Sequence, residues 1–351
     1  MYLILAVLIF GILIAVHELG HFMAAKACGV RVNEFSIGMG PALWKRQRGE
    51  TLYSLRILPI GGFCAMEGED EDSDDPRAFQ SQSRIKRLVI LVAGAAMNFV
   101  FGLLLVLLIY SGAKGFNAPV VTEFMEGCPY ESPEGLQAGD RFWKINGERI
   151  YFSKDVSLYL SRGGATADIT VVRNGEKVEL EDFEISLLPY EENGETVQRY
   201  GFYFGQVESG AGAVLKYSWY QALDFVRMVR LGLADLLTGG AKVSDMAGVV
   251  GIVDMMSEVG SSAPSVSAGM SNVLFLGAFI AVNLAVMNLL PIPALDGGRV
   301  LFLFLSWLIE TVTRRKLDSK YEGYINAVGL ALLMALMVYV MFNDIVRIIS
   351  G

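Results

Sequence analysis

Apolar residues in this chain gather into long runs free of charge. No Asp, Glu, Lys or Arg falls between Leu88 and Ala113, between Ala263 and Leu295, or between Gly323 and Asn343. Each run exceeds the ~20 apolar residues that carry a helix across a bilayer core. A fourth apolar stretch, Met1 to Ala25, is broken only by His17, Glu18 and His21. Four membrane-spanning helices are the simplest prediction. The first has no basic n-region and no small-residue cleavage site, so it reads as a retained span and not a removed signal.

Between the spans the period changes. Residues 35–66 alternate β-prone runs, Phe35–Pro41 and Thr51–Leu58, with glycines at Gly61 and Gly62, which predicts a β-hairpin-like element. Within 117–207 come a short helix near Ser153–Ser161, a strand at Ala167–Arg173, an Asn174-Gly175 turn and another strand. Residues 216–237 set Asp224, Arg227 and Asp235 against Leu223, Val226 and Leu233, with Trp219 and Tyr220 nearby. That predicts an amphipathic helix lying in the membrane interface. Gly260–Gly269 reads as a linker. The expected fold is a polytopic α-helical membrane protein carrying an inserted α+β domain. Its parts are 1–113 (two spans and the hairpin loop), 117–207 (the inserted domain), 216–262 (interfacial helix and linker) and 263–351 (two spans).

Composition agrees. Of 351 residues 53% are hydrophobic and 19% charged, and the mean hydropathy is +0.44. An ordinary soluble protein is excluded, and no nucleic-acid partner is expected. Basic residues beside span ends set orientation. Arg84, Lys86 and Arg87 precede the second span with only Lys114 after it, and Arg314, Arg315, Lys316 and Lys320 precede the fourth. Both clusters place those ends in the cytoplasm, which puts the two termini and the 114–267 region outside and the 26–87 loop inside. The expected location is the cytoplasmic (inner) membrane, multi-pass. Cys28, Cys64 and Cys128 match no disulfide framework or zinc ribbon. The acidic run Glu67–Asp75 reads as a solvated loop.

The candidate chemistry sits inside the first span. His17-Glu18-Leu19-Gly20-His21 is an H-E-x-x-H pattern. Residues i and i+4 share a helix face, so both imidazoles can reach one metal ion, and Glu18 can act as base towards a water. Three ionisable residues within one apolar helix require a partner or a function. Catalytic zinc takes three protein ligands. Both the first and third spans run from outside to inside in this topology, so His17 and His21, late in the first, and Asp296, just past the third, fall at similar depth. Pro291, Pro293, Gly297 and Gly298 break the helix there and permit a turn that aims the Asp296 carboxylate inward. Zn²⁺ on His17, His21 and Asp296 is the expected cofactor site.

At these residues the chain resembles the site-2 protease family, in particular its bacterial regulator-of-sigma-E protease branch. The resemblance is carried by His17–His21 and by Asn288-Leu289-Leu290-Pro291-Ile292-Pro293-Ala294-Leu295-Asp296-Gly297-Gly298. Phe35–Pro41, Leu58–Phe63 and Gly94-Ala95-Ala96-Met97-Asn98-Phe99 extend it along nearly the whole chain. Ala95, Arg299 and residues 242–252 depart from the usual family pattern. The resemblance implies a zinc endopeptidase that cleaves within membrane-spanning segments, with Asn283 and Asn288 contacting substrate or supporting the transition state. Asn98 has a weaker claim to any role beyond packing. Substrates implied by the family are single-span proteins such as anti-sigma factors, or signal-peptide remnants. Gly135–Asp140 and Ile145-Asn146-Gly147 make 117–207 resemble a single PDZ domain, which docks peptides or filters substrates by size. The hairpin could pair with an unwound substrate strand. Two competing classes, a catalytically silent PDZ scaffold and a zinc transporter or sensor, do not account for two His, Glu18 and Asp296 together with that domain.

Overall fold

The protein is described from a computed structural model covering residues 1–69, 71, 73–192, 194–242, 247–314 and 319–350. Asp70 and Asp72 of the acidic run, residues 243–246 of the departing segment, and Arg315 and Lys316 of the basic cluster lie outside the described residues.

The chain opens with α1 (Tyr2–Cys28), then β1 (Val32–Arg48), β2 (Thr51–Met66) and α2 (Arg84–Tyr110). A middle region follows: β3 (Gly115–Phe124), β4 (Arg141–Ile145), β5 (Glu148–Arg149), α3 (Ser153–Gly163), β6 (Thr166–Arg173), β7 (Glu176–Glu184), β8 (Leu188–Glu192), β9 (Glu195–Arg199) and β10 (Phe202–Glu208). The remainder is helical: α4 (Ala211–Thr238), α5 (Val249–Ser261), α6 (Val266–Asn288), α7 (Asp296–Thr313) and α8 (Ser319–Ser350). Two compact units result, one of Met1–Ile109 with Gln221–Gly351 and one of Tyr110–Tyr220.

In the first unit, α1, α2, α6 and the Gly323–Val346 part of α8 are long and apolar enough to cross a membrane. The expected four spans are these. Their outward faces are apolar: Leu3, Ile4 and Leu8 on α1 and Val328, Leu332, Val338 and Phe342 on α8 are exposed, which suits lipid and not water. Inside, Ala6, Ile9, Phe10 and Leu13 pack with Met256 of α5 and with Val273 and Ile280 of α6. Helices α1 and α2 meet closely at Gly20, where a Cβ would strike the Ala93 carbonyl and Met97. Gly29, at φ 82°, ends α1, its N–H reaching the Ala25 and Lys26 carbonyls.

Two helices were not expected. The segment read as a linker is mostly helical: α5 runs to Ser261, and α6 starts at Val266 with Ser265 accepting from the Ala268 N–H. Helix α7 begins at Asp296, so Gly297 and Gly298, expected to form a turn, lie in its first turn. Helix α4 reverses the expected facing. Asp224 and Arg227 are buried and paired with each other, while Trp219, Met228 and Leu237 are exposed. The polar stripe faces protein, and Phe225 packs edge-on against Phe275 and Phe279 of α6.

β1 and β2 pair antiparallel, turning at Gly49-Glu50, but the hairpin doubles back. Glu34–Ile37 have partners both at Leu52–Leu55 and at Gly62–Ala65, and Trp44–Gln47 also pair with Leu52–Leu55. Gly38 (φ 86°), Gly40 (φ 84°) and Gly61 (φ 93°) supply the left-handed backbone for these reversals. The last stretch, Gly62–Met66, runs beside α1.

The second unit is a sheet of order β10-β3-β4-β6-β7, antiparallel throughout, with β5 on β4 and a separate β8–β9 hairpin. Asn174 (φ 53°) and Gly175 (φ 90°) form the expected β6–β7 turn. Asp140, fully buried, takes two hydrogen bonds from Arg173, at 2.8 and 2.7 Å, and one from the Gln137 N–H. That pairing raises the Arg173 pKa.

Candidate metal centre

Helical spacing places His17 and His21 one turn apart on the same side of α1. Their Nε2 atoms are 3.1 Å apart. Asp296, the first residue of α7, brings Oδ2 to 3.2 Å from His17 Nε2 and 3.3 Å from His21 Nε2. The three donors thus form a nearly equilateral triangle, as expected of the one group of His, Cys and acidic side chains among the described residues that can share an ion. Three ligands about 2.0–2.1 Å from a tetrahedral zinc stand ~3.3 Å apart, the same spacing.

Protonation strengthens the case. His21 Nδ1 lies 2.8 Å from the Ile90 carbonyl. A carbonyl only accepts, so Nδ1 carries the proton and a neutral His21 presents a bare lone pair at Nε2. Asp296 Oδ2 is buried and receives no hydrogen bond. Lone pairs and an anion converging at this distance repel unless a cation lies between them. The donor set therefore fits zinc.

The surroundings are shaped to it. A Cβ on Gly94 of α2 would lie 2.7 Å from His17 Cε1 and 2.8 Å from His21 Cε1. Only glycine leaves room for the imidazoles. Pro291 and Pro293 end the helical path, Ala294 takes φ 73°, and Cβ atoms on Gly297 or Gly298 would strike the backbone of Leu289 to Pro293. The loop is thus wound tightly enough to return Asp296 to α1. Asn326 of α8 accepts from the Ala294 N–H at 3.3 Å.

Residues 5–336 match the sequence profile of peptidase family M50. The chain belongs to peptidase family M50. Two relatives whose names include zinc metalloprotease come from Clostridium perfringens, 37% identical over 99% of both chains, and Clostridium acetobutylicum, 36% identical over 98% of this chain and 97% of that one. The regulator of sigma-W protease RasP of Bacillus subtilis is 28% identical over 97% of each chain. This M50 protein is a zinc metalloprotease with four helices suited to a membrane.

Glu18 lies beside the edge of β2: a Cβ on Gly62 would be 3.4 Å from Glu18 Cγ. It is within electrostatic reach of His17, His21 and Asp296. Asn288, the last residue of α6, holds Nδ2 3.4 Å from both ring nitrogens of His17. Asn283 is half-buried five residues earlier, about 140° round the helix at ~100° per residue, and no described contact joins it to the donors. Asn98 is buried, one turn from Gly94, with Oδ1 lacking a hydrogen-bond partner. Sequence reasoning matched Gly94 only as part of a motif. Its sole local signal was a small residue one turn from a buried Asn in an apolar span. An apolar cleft of 740 Å³, lined by Leu88, Leu289, Pro291, Gly297, Val300 and Phe304 among others, adjoins the loop carrying Asp296.

Proposed function

We propose that this M50 protease is an intramembrane endopeptidase in which His17, His21 and Asp296 hold zinc and Glu18 is the general base. The convergent triangle of His17, His21 and Asp296 ligand atoms carries the reading. Zinc held there supplies Lewis acidity towards a water and the scissile carbonyl. Glu18 takes the proton from the attacking water and returns it to the leaving amine. Asn288 Nδ2, beside His17, is the candidate donor to the developing oxyanion. The Gly62–Met66 run beside Glu18 offers a strand edge on which an unwound substrate can lie, so that a helical peptide presents its backbone.

The site lies on apolar helices and beside an apolar cleft, which supports substrates that are themselves membrane spans. The name of the Bacillus subtilis relative supports regulated proteolysis of sigma-factor regulators, so single-span anti-sigma factors are the proposed substrates, with signal-peptide remnants, implied by the family resemblance, beside them. In this reading the site faces the cytoplasmic side of the inner membrane. Residues 117–207 form an extracytoplasmic PDZ domain that docks or filters substrates.

The test is Glu18→Gln, purified beside the parent protein, with zinc content measured and a single-span substrate supplied. Retained zinc with cleavage abolished is the expected result. Equal cleavage by the two proteins would refute the mechanism.

A further inference from the structure

Helix α7 carries Asp296, yet Gly297 and Leu303 are its buried residues among those described. The loop before it turns through two prolines and a left-handed Ala294. Two ion pairs fasten α7 to the half of the chain that bears the histidines. Near Asp296, Arg299 Nη1 donates to Glu69 Oε1, and Glu69 Oε2 accepts from the N–H of Met66, the last residue of β2, at 3.4 Å. At the far end, Arg84 Nη2 donates to Glu310 Oε2. Glu69 and Arg84 bracket the segment joining β2 to α2.

The two pairs are not equal. Arg299 and Glu69 side chains are 21% and 17% exposed, whereas Arg84 is 49% exposed. Solvent screens the outer pair far more, and exposed pairs contribute little. Arg299 is also three residues from Asp296, on the same face of α7. Removing one partner of the inner pair leaves a poorly hydrated charge, a larger penalty.

We infer that the Glu69–Arg299 ion pair is the latch that sets Asp296 against His17 and His21, so that the metal site is completed by docking α7 onto the end of β2. Neither residue is a metal donor; both are positioning residues. The inference rests on the ligand assignment above.

The test uses the full-length protein with Arg299→Glu, Glu69→Arg, the double reversal, Arg299→Gln, Arg84→Glu and His17→Ala. Zinc loss to a chelator is timed, and kcat and KM are measured on a single-span substrate. Each single reversal is expected to release zinc ~tenfold faster or more, the effect typical of residues that orient ligands, with kcat lowered and KM unchanged. The double reversal returns both to near the parent values, and Arg84→Glu leaves zinc retention close to parent. His17→Ala separates the two readings: if it keeps zinc, the ligand assignment fails. If it loses zinc while Arg299→Glu and Arg299→Gln hold it like the parent, the latch is wrong. A double reversal no better than either single, or an equal effect from Arg84→Glu, would also overturn it. Should Arg299→Glu not insert, Arg299→Gln decides on the same criterion.

Discussion

Replacing Gly94 by alanine tests the metal centre without touching a donor. The added methyl would lie 2.7 Å from His17 Cε1 and 2.8 Å from His21 Cε1, and nearer still to His21 Nε2, where ordinary contact begins at 3.4 Å. The rings must retreat by at least about 0.7 Å, several times the ~0.2 Å latitude of a metal–ligand distance. Overpacking of this kind costs about 1–3 kcal/mol. At ~1.4 kcal/mol per decade, zinc affinity should fall between about fivefold and about 150-fold. His21 cannot swing away freely, because Nδ1 is held by the Ile90 carbonyl. Gly102→Ala is the matched control. On the same helix as Gly94 but two turns further on, its methyl would crowd Val282 at 2.8 Å and Ala281 at 3.2 Å, both of α6. Zinc titration by competition with a chelator, beside thermal unfolding, separates the two variants. Gly94→Ala should lose metal affinity, and Gly102→Ala should lose stability only. Parent-like zinc binding by Gly94→Ala would refute the claim that α2 shapes the site.

Other consequences can be measured separately. Asn288→Ala should lower kcat by about a hundredfold or more while zinc is retained, as loss of an oxyanion donor does; Asn283→Ala, on another side of α6, should cost less than about tenfold, and steady-state kinetics compare them. Asp140→Ala removes two charge-assisted hydrogen bonds from the half-buried Arg173 and should destabilise the middle unit by about 1–3 kcal/mol, read from its unfolding in the full-length protein. Burial raises the Glu34 pKa, but hydrogen bonds from Ser54 and Arg56 outweigh it and hold the carboxyl below its usual range. A depressed folded-state pKa adds stability above the unfolded value, near ~4.3, that is lost as pH falls through the folded one. Protection of the β1–β2 amides should therefore be flat above about pH 5 and decline in acid, and Glu34→Gln should abolish that decline.

The four spans were legible because a charge-free run of such length has few other uses, and His17–His21 because ionisable residues inside one stand out. Asp296 was reachable through depth alone. What escaped depends on contacts remote in sequence. Arg299 and Glu310 interrupt the apolar pattern of α7, and each is neutralised by a partner in the first third of the chain. Helix α4 has a plain amphipathic stripe, yet period alone does not say which face meets protein, and Asp224 and Arg227 turn inward as a pair. The doubled register of β1 and β2 is set by glycines whose positive φ no local pattern announces.

The proposed metal centre draws its donors from α1 and α7, far apart in the chain. His17 and His21 are made at the outset, and Asp296 emerges only after α2, the whole middle unit and α6. A nascent chain that has not reached α7 holds the two imidazoles and not the proposed third donor. With the donors assigned as proposed, cleavage waits until α7 is made, after the first three of the four candidate spans.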